Sequence, residues 1–100
     1  MNTHMVTYTV KADRLAENQA LIRDIFDELD RVQPPGLTYQ AFELPDGVSF
    51  IHLITYDKSR YGALPPMTSF KAFHADLHGR CAGAPARTEL GRLGAHRPEA

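Results

Sequence analysis

Residues Val48–Tyr56 (VSFIHLITY) form an almost uninterrupted apolar run rich in β-branched and aromatic side chains. Nine residues of this composition favour a β-strand. In a strand, successive side chains point to opposite faces. Phe50, Ile54 and Tyr56 therefore share one face, and Ile51 and Leu53 share the other. An antiparallel sheet with helices on one side normally shows a polar face to water. A strand that is apolar on both faces needs cover on both.

The rest of the chain supplies the first cover. His4–Lys11 alternates Val6, Tyr8 and Val10 against Met5, Thr7 and Thr9, which predicts a strand. Asp13 is placed to cap a helix running to about Val32. Its Leu15, Leu21, Ile22, Ile25, Phe26, Leu29 and Val32 fall on one face, and Pro34-Pro35-Gly36 stops it. Leu37–Leu44 predicts a second strand. Pro45-Asp46-Gly47 reads as the turn that folds it against Val48–Tyr56. Asp57–Pro66 reads as a loop, and Met67–Cys81 as a second helix with Met67, Phe70, Phe73, Leu77 and Cys81 inward. Gly83 and Pro85 end that helix, and Ala86–His96 is the last and weakest strand.

One hundred residues make one domain, here expected to span 1–100 with its core at about 5–96. Only the end, Arg97–Ala100, is expected to be loose. No apolar run approaches the roughly 20 residues of a membrane span, and Met1–Met5 lacks the features of a signal peptide. A single cysteine, Cys81, fits a reducing compartment, so a cytoplasmic protein is expected. The net charge is −1. Residues 1–50 hold four Lys/Arg and eight Asp/Glu, and residues 51–100 hold seven and four. The basic residues are scattered rather than clustered among aromatics, which argues against a nucleic-acid surface.

The order β-α-β-β-α-β, with one apolar face on each helix, predicts an α+β ferredoxin-like sandwich: a four-stranded antiparallel sheet with two helices on one face. The economical cover for the other face is a second copy of the same sheet, giving a homodimer about a twofold axis.

The segments Val6–Lys11, Glu17-Asn18, Pro35-Gly36-Leu37-x-Tyr39, Asp46-Gly47-x-x-Phe50-x-His52 and Phe70-x-x-Phe73 resemble the dimeric α/β-barrel superfamily. They are most similar to small proteins grouped with the antibiotic-biosynthesis monooxygenases. The resemblance implies a dimeric α/β barrel and a cavity between sheet and helices for a small apolar or aromatic ligand. Members of that superfamily range from cofactor-independent monooxygenases to proteins without known activity, so the fold does not give the function. The absence of tryptophan weighs against the oxidising members.

Within that frame His52 is the candidate base, because histidine titrates near neutral pH. The bland alternative is a hydrogen-bonded core histidine. Asn18 lies in the middle of the first helix's apolar arc, where a buried amide needs a partner. It is a candidate ligand donor, or else it caps the first turn or ties a strand end. Tyr8 and Tyr39 can offer hydroxyls to a ligand, Phe50 shares the His52 face, and His74 falls inside the second helix's arc. His74 and His78 have the i, i+4 spacing that can chelate zinc, but no supporting ligand lies nearby in sequence, and no metal or cofactor is expected. Cys81 reads as a small buried apolar group.

Two functions follow. One is a cofactor-independent oxidation of an aromatic or polyketide-like compound, in an apolar pocket with a few donors that stabilise the substrate anion. The other is a noncatalytic dimerisation or ligand-sensing module, its interior filled by Phe26, Phe42, Phe50, Phe70 and Phe73. A cavity of several hundred cubic ångströms lined by His52 and a tyrosine separates them.

Overall fold

The structure is a computed structural model and describes residues 1–61 and 67–98; of Arg60 and Tyr61 it describes the backbone alone. The elements are β1 (Asn2–Thr9), a 3-10 turn (Ala12–Arg14), α1 (Leu15–Val32), β2 (Leu37–Glu43) and β3 (Ser49–Tyr56). Then come α2 (Lys58–Tyr61), α3 (Thr68–Ala75), α4 (Leu77–Arg80) and β4 (Ala86–Leu90). The strands form one antiparallel sheet in the order β2-β3-β1-β4. This is the expected ferredoxin-like α+β fold. Among the described residues no helix is long and apolar enough to cross a membrane.

β3 occupies the middle of the sheet because its apolar residues serve both faces. Phe50, His52, Ile54 and Tyr56 are buried, while Ser49, Ile51, Leu53 and Thr55 are half-buried. The buried row continues across β1 as His4, Val6 and Tyr8, and Phe70 and Phe73 of α3 lie over it. The His52 face is therefore the helix side. The opposite face carries Met5, Ile51 and Leu53, with Phe42 and Leu90 exposed. Phe42 pairs in register with Ile51 and so cannot fill the helix-side interior, contrary to its expected place there.

Several expected boundaries move for physical reasons. Asp13 does not cap the first helix: it sits in the 3-10 turn, and Arg14 at the N-cap makes no side-chain capping bond. The C-terminus closes as expected before Pro34, with Gln33 taking the left-handed conformation at φ 47° and its N–H donating to the Leu29 carbonyl. The turn at Pro45-Asp46-Gly47 holds, with Gly47 at φ 77° and the Asp46 carboxylate accepting from the N–H groups of Val48 and Ser49. The expected second helix breaks at Asp76, where φ is −132°. The Asp76 carboxylate accepts from Arg14 at 2.6 Å, and Gly79 packs so closely on it that a Cβ would overlap Asp76. The last strand stops at Leu90 rather than His96 because its partner runs out. Leu90 pairs with Thr3, and β1 begins one residue earlier.

The expected loop over Asp57–Pro66 opens with the short helix α2, and residues 62–66 lie outside the described residues, as do Glu99 and Ala100 of the expected loose end.

Candidate functional site: a buried polar chain under the helices

His52 pairs across the sheet with Val6 on one side and Ala41 on the other. Both neighbours are small, which leaves room above them. Tyr8 and Tyr39 sit one pleat away on β1 and β2, opposite Phe50 and Ile54, and diagonal neighbours at that separation are within reach of aromatic side chains. Each tyrosine leans toward the imidazole. The Tyr8 hydroxyl lies 2.8 Å from Nε2, and the Tyr39 hydroxyl lies 2.7 Å from Nδ1.

The chain continues away from the sheet. Asn18, fully buried on α1, donates from Nδ2 to the Tyr8 hydroxyl at 3.1 Å. Arg80, fully buried at the end of α4, donates from Nε to Asn18 Oδ1 at 3.1 Å. A second Arg80 nitrogen donates to the Phe73 carbonyl at 2.8 Å, and the guanidinium lies 5.0 Å over the Phe73 ring. Backbone pairing fixes the end of α4, since the Lys11 N–H donates to the Arg80 carbonyl at 2.8 Å. Five polar side chains from three strands and two helices thus form one connected series. Among the described residues no buried side-chain nitrogen or oxygen lacks a partner.

Aromatic rings enclose this series. Phe73 lies 5.1 Å from the His52 ring, Phe50 stacks on Tyr8 at 5.4 Å, and Phe70 stacks on Tyr39 at 5.6 Å. His52 is 1% exposed. Burial disfavours its charged form and pushes it down to about 4, with the positive charge of His74 adding in the same direction. Burial also pushes the Tyr8 hydroxyl up to about 12, against the opposing pull of the Asn18 hydrogen bond and the Arg80 charge. The Tyr39 hydroxyl is likewise raised by burial. At neutral pH both phenols keep their protons and His52 is neutral.

Of the expected site residues, Asn18, Tyr8, Tyr39, Phe50 and His52 come together. His74 does not: it is exposed, and its Nδ1 lies 2.8 Å from the Phe70 carbonyl. The buried arc of α3 is turned toward Ser69, whose N–H donates to the Glu28 carboxylate of α1 at 2.8 Å, and this rolls His74 outward. Neither His74 nor His78 belongs to any group of three or more metal-ligating side chains among the described residues. Cys81 is buried, and burial pushes its thiol up.

Arg80 was not singled out from sequence. Its signal was a basic residue three positions after Leu77 and seven after Phe73, on the inner face by helical spacing.

A groove of about 300 Å³ opens between the end of α1 and β2, lined by Phe26, Leu29, Leu37 and Tyr39 among others. A second cavity of about 360 Å³ lies over Thr7, Thr9, Ser49 and Ile51 on the open face of the sheet. His52 lines neither. Tyr39 is the member of the polar chain that reaches the first.

Comparisons with known proteins bear on this architecture alone. No protein-family model matches the chain, and no curated protein matches it. Solved structures do. A protein described as an antibiotic biosynthesis monooxygenase matches with a TM-score of 0.76 at 12% identity over 94% of this chain and 100% of its own. The Mycobacterium tuberculosis protein Rv0793 matches at 0.79, with 14% identity over 96% of this chain and 98% of its own. A Nitrosomonas europaea protein of unknown function matches at 0.75, with 14% identity over 99% and 95%. The chain has the ferredoxin-like fold of the antibiotic-biosynthesis-monooxygenase-like proteins.

The lowered His52 value has a measurable consequence. Between about pH 6.5 and 4 the unfolded chain binds a proton at this residue more readily than the folded one. Stability present above pH 6.5 is therefore lost as pH falls through that window, by on the order of 3 kcal/mol. His4, lowered by burial and then by Arg87, acts in the same sense. Urea unfolding from pH 7.5 to 4 should show this slope, and His52→Phe should flatten it. An equal slope in that variant would remove His52 as its source.

Proposed function

We propose that the protein is a homodimeric small-ligand-binding α/β barrel that oxidises an aromatic or polyketide-like compound without a cofactor. The observation that carries this reading is the buried polar chain ending at a groove-lining tyrosine. Apolar side chains of similar volume would hold this core at less cost than a buried arginine, amide and imidazole. Hydrogen-bond donors placed in a dry aromatic interior are what stabilises a developing oxyanion.

An enolisable CH₂ group on the ligand would lose a proton to water, leaving an enolate whose oxygen Tyr39 holds. The carbanion form reacts with O₂. The CH₂ becomes C=O, one oxygen atom enters the product and the other leaves as water, and all four electrons come from the substrate. His52 has both ring nitrogens held by tyrosines, so it acts through Tyr39 rather than by touching the ligand. The apolar residues of the open sheet face, Met5, Phe42, Ile51, Leu53 and Leu90, support a second copy as its cover.

One observation favours the noncatalytic module instead. His52 lines neither of the two cavities described above, and it is almost fully buried.

Oxygen uptake separates the two. With a panel of polycyclic aromatic ketones carrying an enolisable CH₂, and no added metal or flavin, the wild type should consume one O₂ per substrate. Tyr39→Phe should be slower by about 10-fold or more, for loss of one oxyanion donor. No uptake and no binding by calorimetry would leave the noncatalytic module standing.

The dimer has its own test. Light scattering after size exclusion should give twice the 11.2 kDa of the chain at micromolar concentration, and Leu53→Lys should halve it. A monomeric wild type would contradict the dimer.

A further inference from the structure

The direction of every hydrogen bond in the buried chain follows from Arg80. A guanidinium can only donate. The Asn18 atom facing Arg80 Nε must therefore be the carbonyl oxygen, which turns the NH₂ toward Tyr8. This settles an amide orientation that shape alone leaves open. The Tyr8 oxygen then accepts from Asn18, and its own hydrogen needs an acceptor. His52 Nε2, at 2.8 Å, is the one available among the described residues. Nε2 must be bare, so a neutral imidazole carries its hydrogen on Nδ1. That hydrogen points to the Tyr39 oxygen at 2.7 Å. The Tyr39 hydroxyl hydrogen is left over, used by none of the five side chains.

We propose that Arg80 is a positioning residue that fixes His52 as the Nδ1–H tautomer and so presents Tyr39 to the α1–β2 groove as a hydrogen-bond donor. The ligand class this selects is an apolar ring compound with an acceptor oxygen, a ketone or an enolate, rather than one offering only a donor. Polarisation runs the same way along the series, since each donor is strengthened by the one behind it and the first carries a full positive charge. Among the described residues no carboxylate lies within ion-pair distance of Arg80 to offset that charge. The ligand class rests on the small-ligand reading above, but the tautomer does not, because it is a property of the ligand-free protein.

The test is ¹⁵N NMR of the His52 ring in ligand-free protein at pH 7.5. The wild type should show a protonated Nδ1 and a bare Nε2. Arg80→Met should convert the ring to Nε2–H or a mixture, since Asn18 is then free to turn over. Arg80→Lys, which still can only donate, should keep Nδ1–H. Asn18→Asp, whose carboxylate can only accept, should draw the Tyr8 hydrogen to itself and turn the ring to Nε2–H, and it serves if Arg80→Met does not fold. A wild type with Nε2–H would overturn the proposal. So would an unchanged Nδ1–H tautomer in a folded Arg80→Met or Asn18→Asp variant. A merely structural Arg80 would change the melting temperature of these variants without moving the tautomer.

Discussion

The hydrogen bond from Arg80 Nε to Asn18 Oδ1 is the constraint on which the interior depends. A fully buried guanidinium is costly unless its donors are met. Here they meet an amide on α1, a carbonyl on α3 and the face of Phe73. Removing the amide would leave a buried donor without an acceptor and would take away the donor to the Tyr8 oxygen. The cost of Arg80 is therefore coupled to the placement of α1, α3 and α4 over β1, and through Tyr8 and His52 to β3 and β2.

The sheet makes this coupling possible by simple means. Small residues at Val6 and Ala41 flank His52, and large ones at Tyr8 and Tyr39 stand one pleat further along. The alternation that buries Phe50, Ile54 and Tyr56 under the helices also carries His52 there. The same alternation leaves Ile51 and Leu53 on the other face, half-covered. One strand thus serves both the polar interior and the surface proposed to meet a second copy.

Much of this was legible in the sequence. The element order, the turn at Gly47 and the α+β class followed from periodicity and turn chemistry. Asn18 stood out as an amide within an apolar arc, and His52 as the ionisable residue inside the third strand. What could not be read was relational. Which face of β3 meets the helices depends on sheet order. The outward roll of His74 depends on Ser69 reaching Glu28 on another helix. The short β4 depends on where β1 begins. Arg80 was passed over because a basic residue near a helix end ordinarily faces water, and only its partners, distant in sequence, show that it does not.

The most direct test of a single coupled chain is a double-mutant cycle between its two ends, since no contact joins Arg80 directly to Tyr39. The stabilities of the wild type, Arg80→Met, Tyr39→Phe and the double variant would be measured by urea unfolding. If the five side chains act as one series, Tyr39→Phe strands the Nδ1–H of His52 only while Arg80 holds the chain in its native direction. The double variant should then be less destabilised than the sum of the single ones by more than about 0.5 kcal/mol. Additivity within about 0.5 kcal/mol would contradict the coupling and reduce the chain to separate pairs.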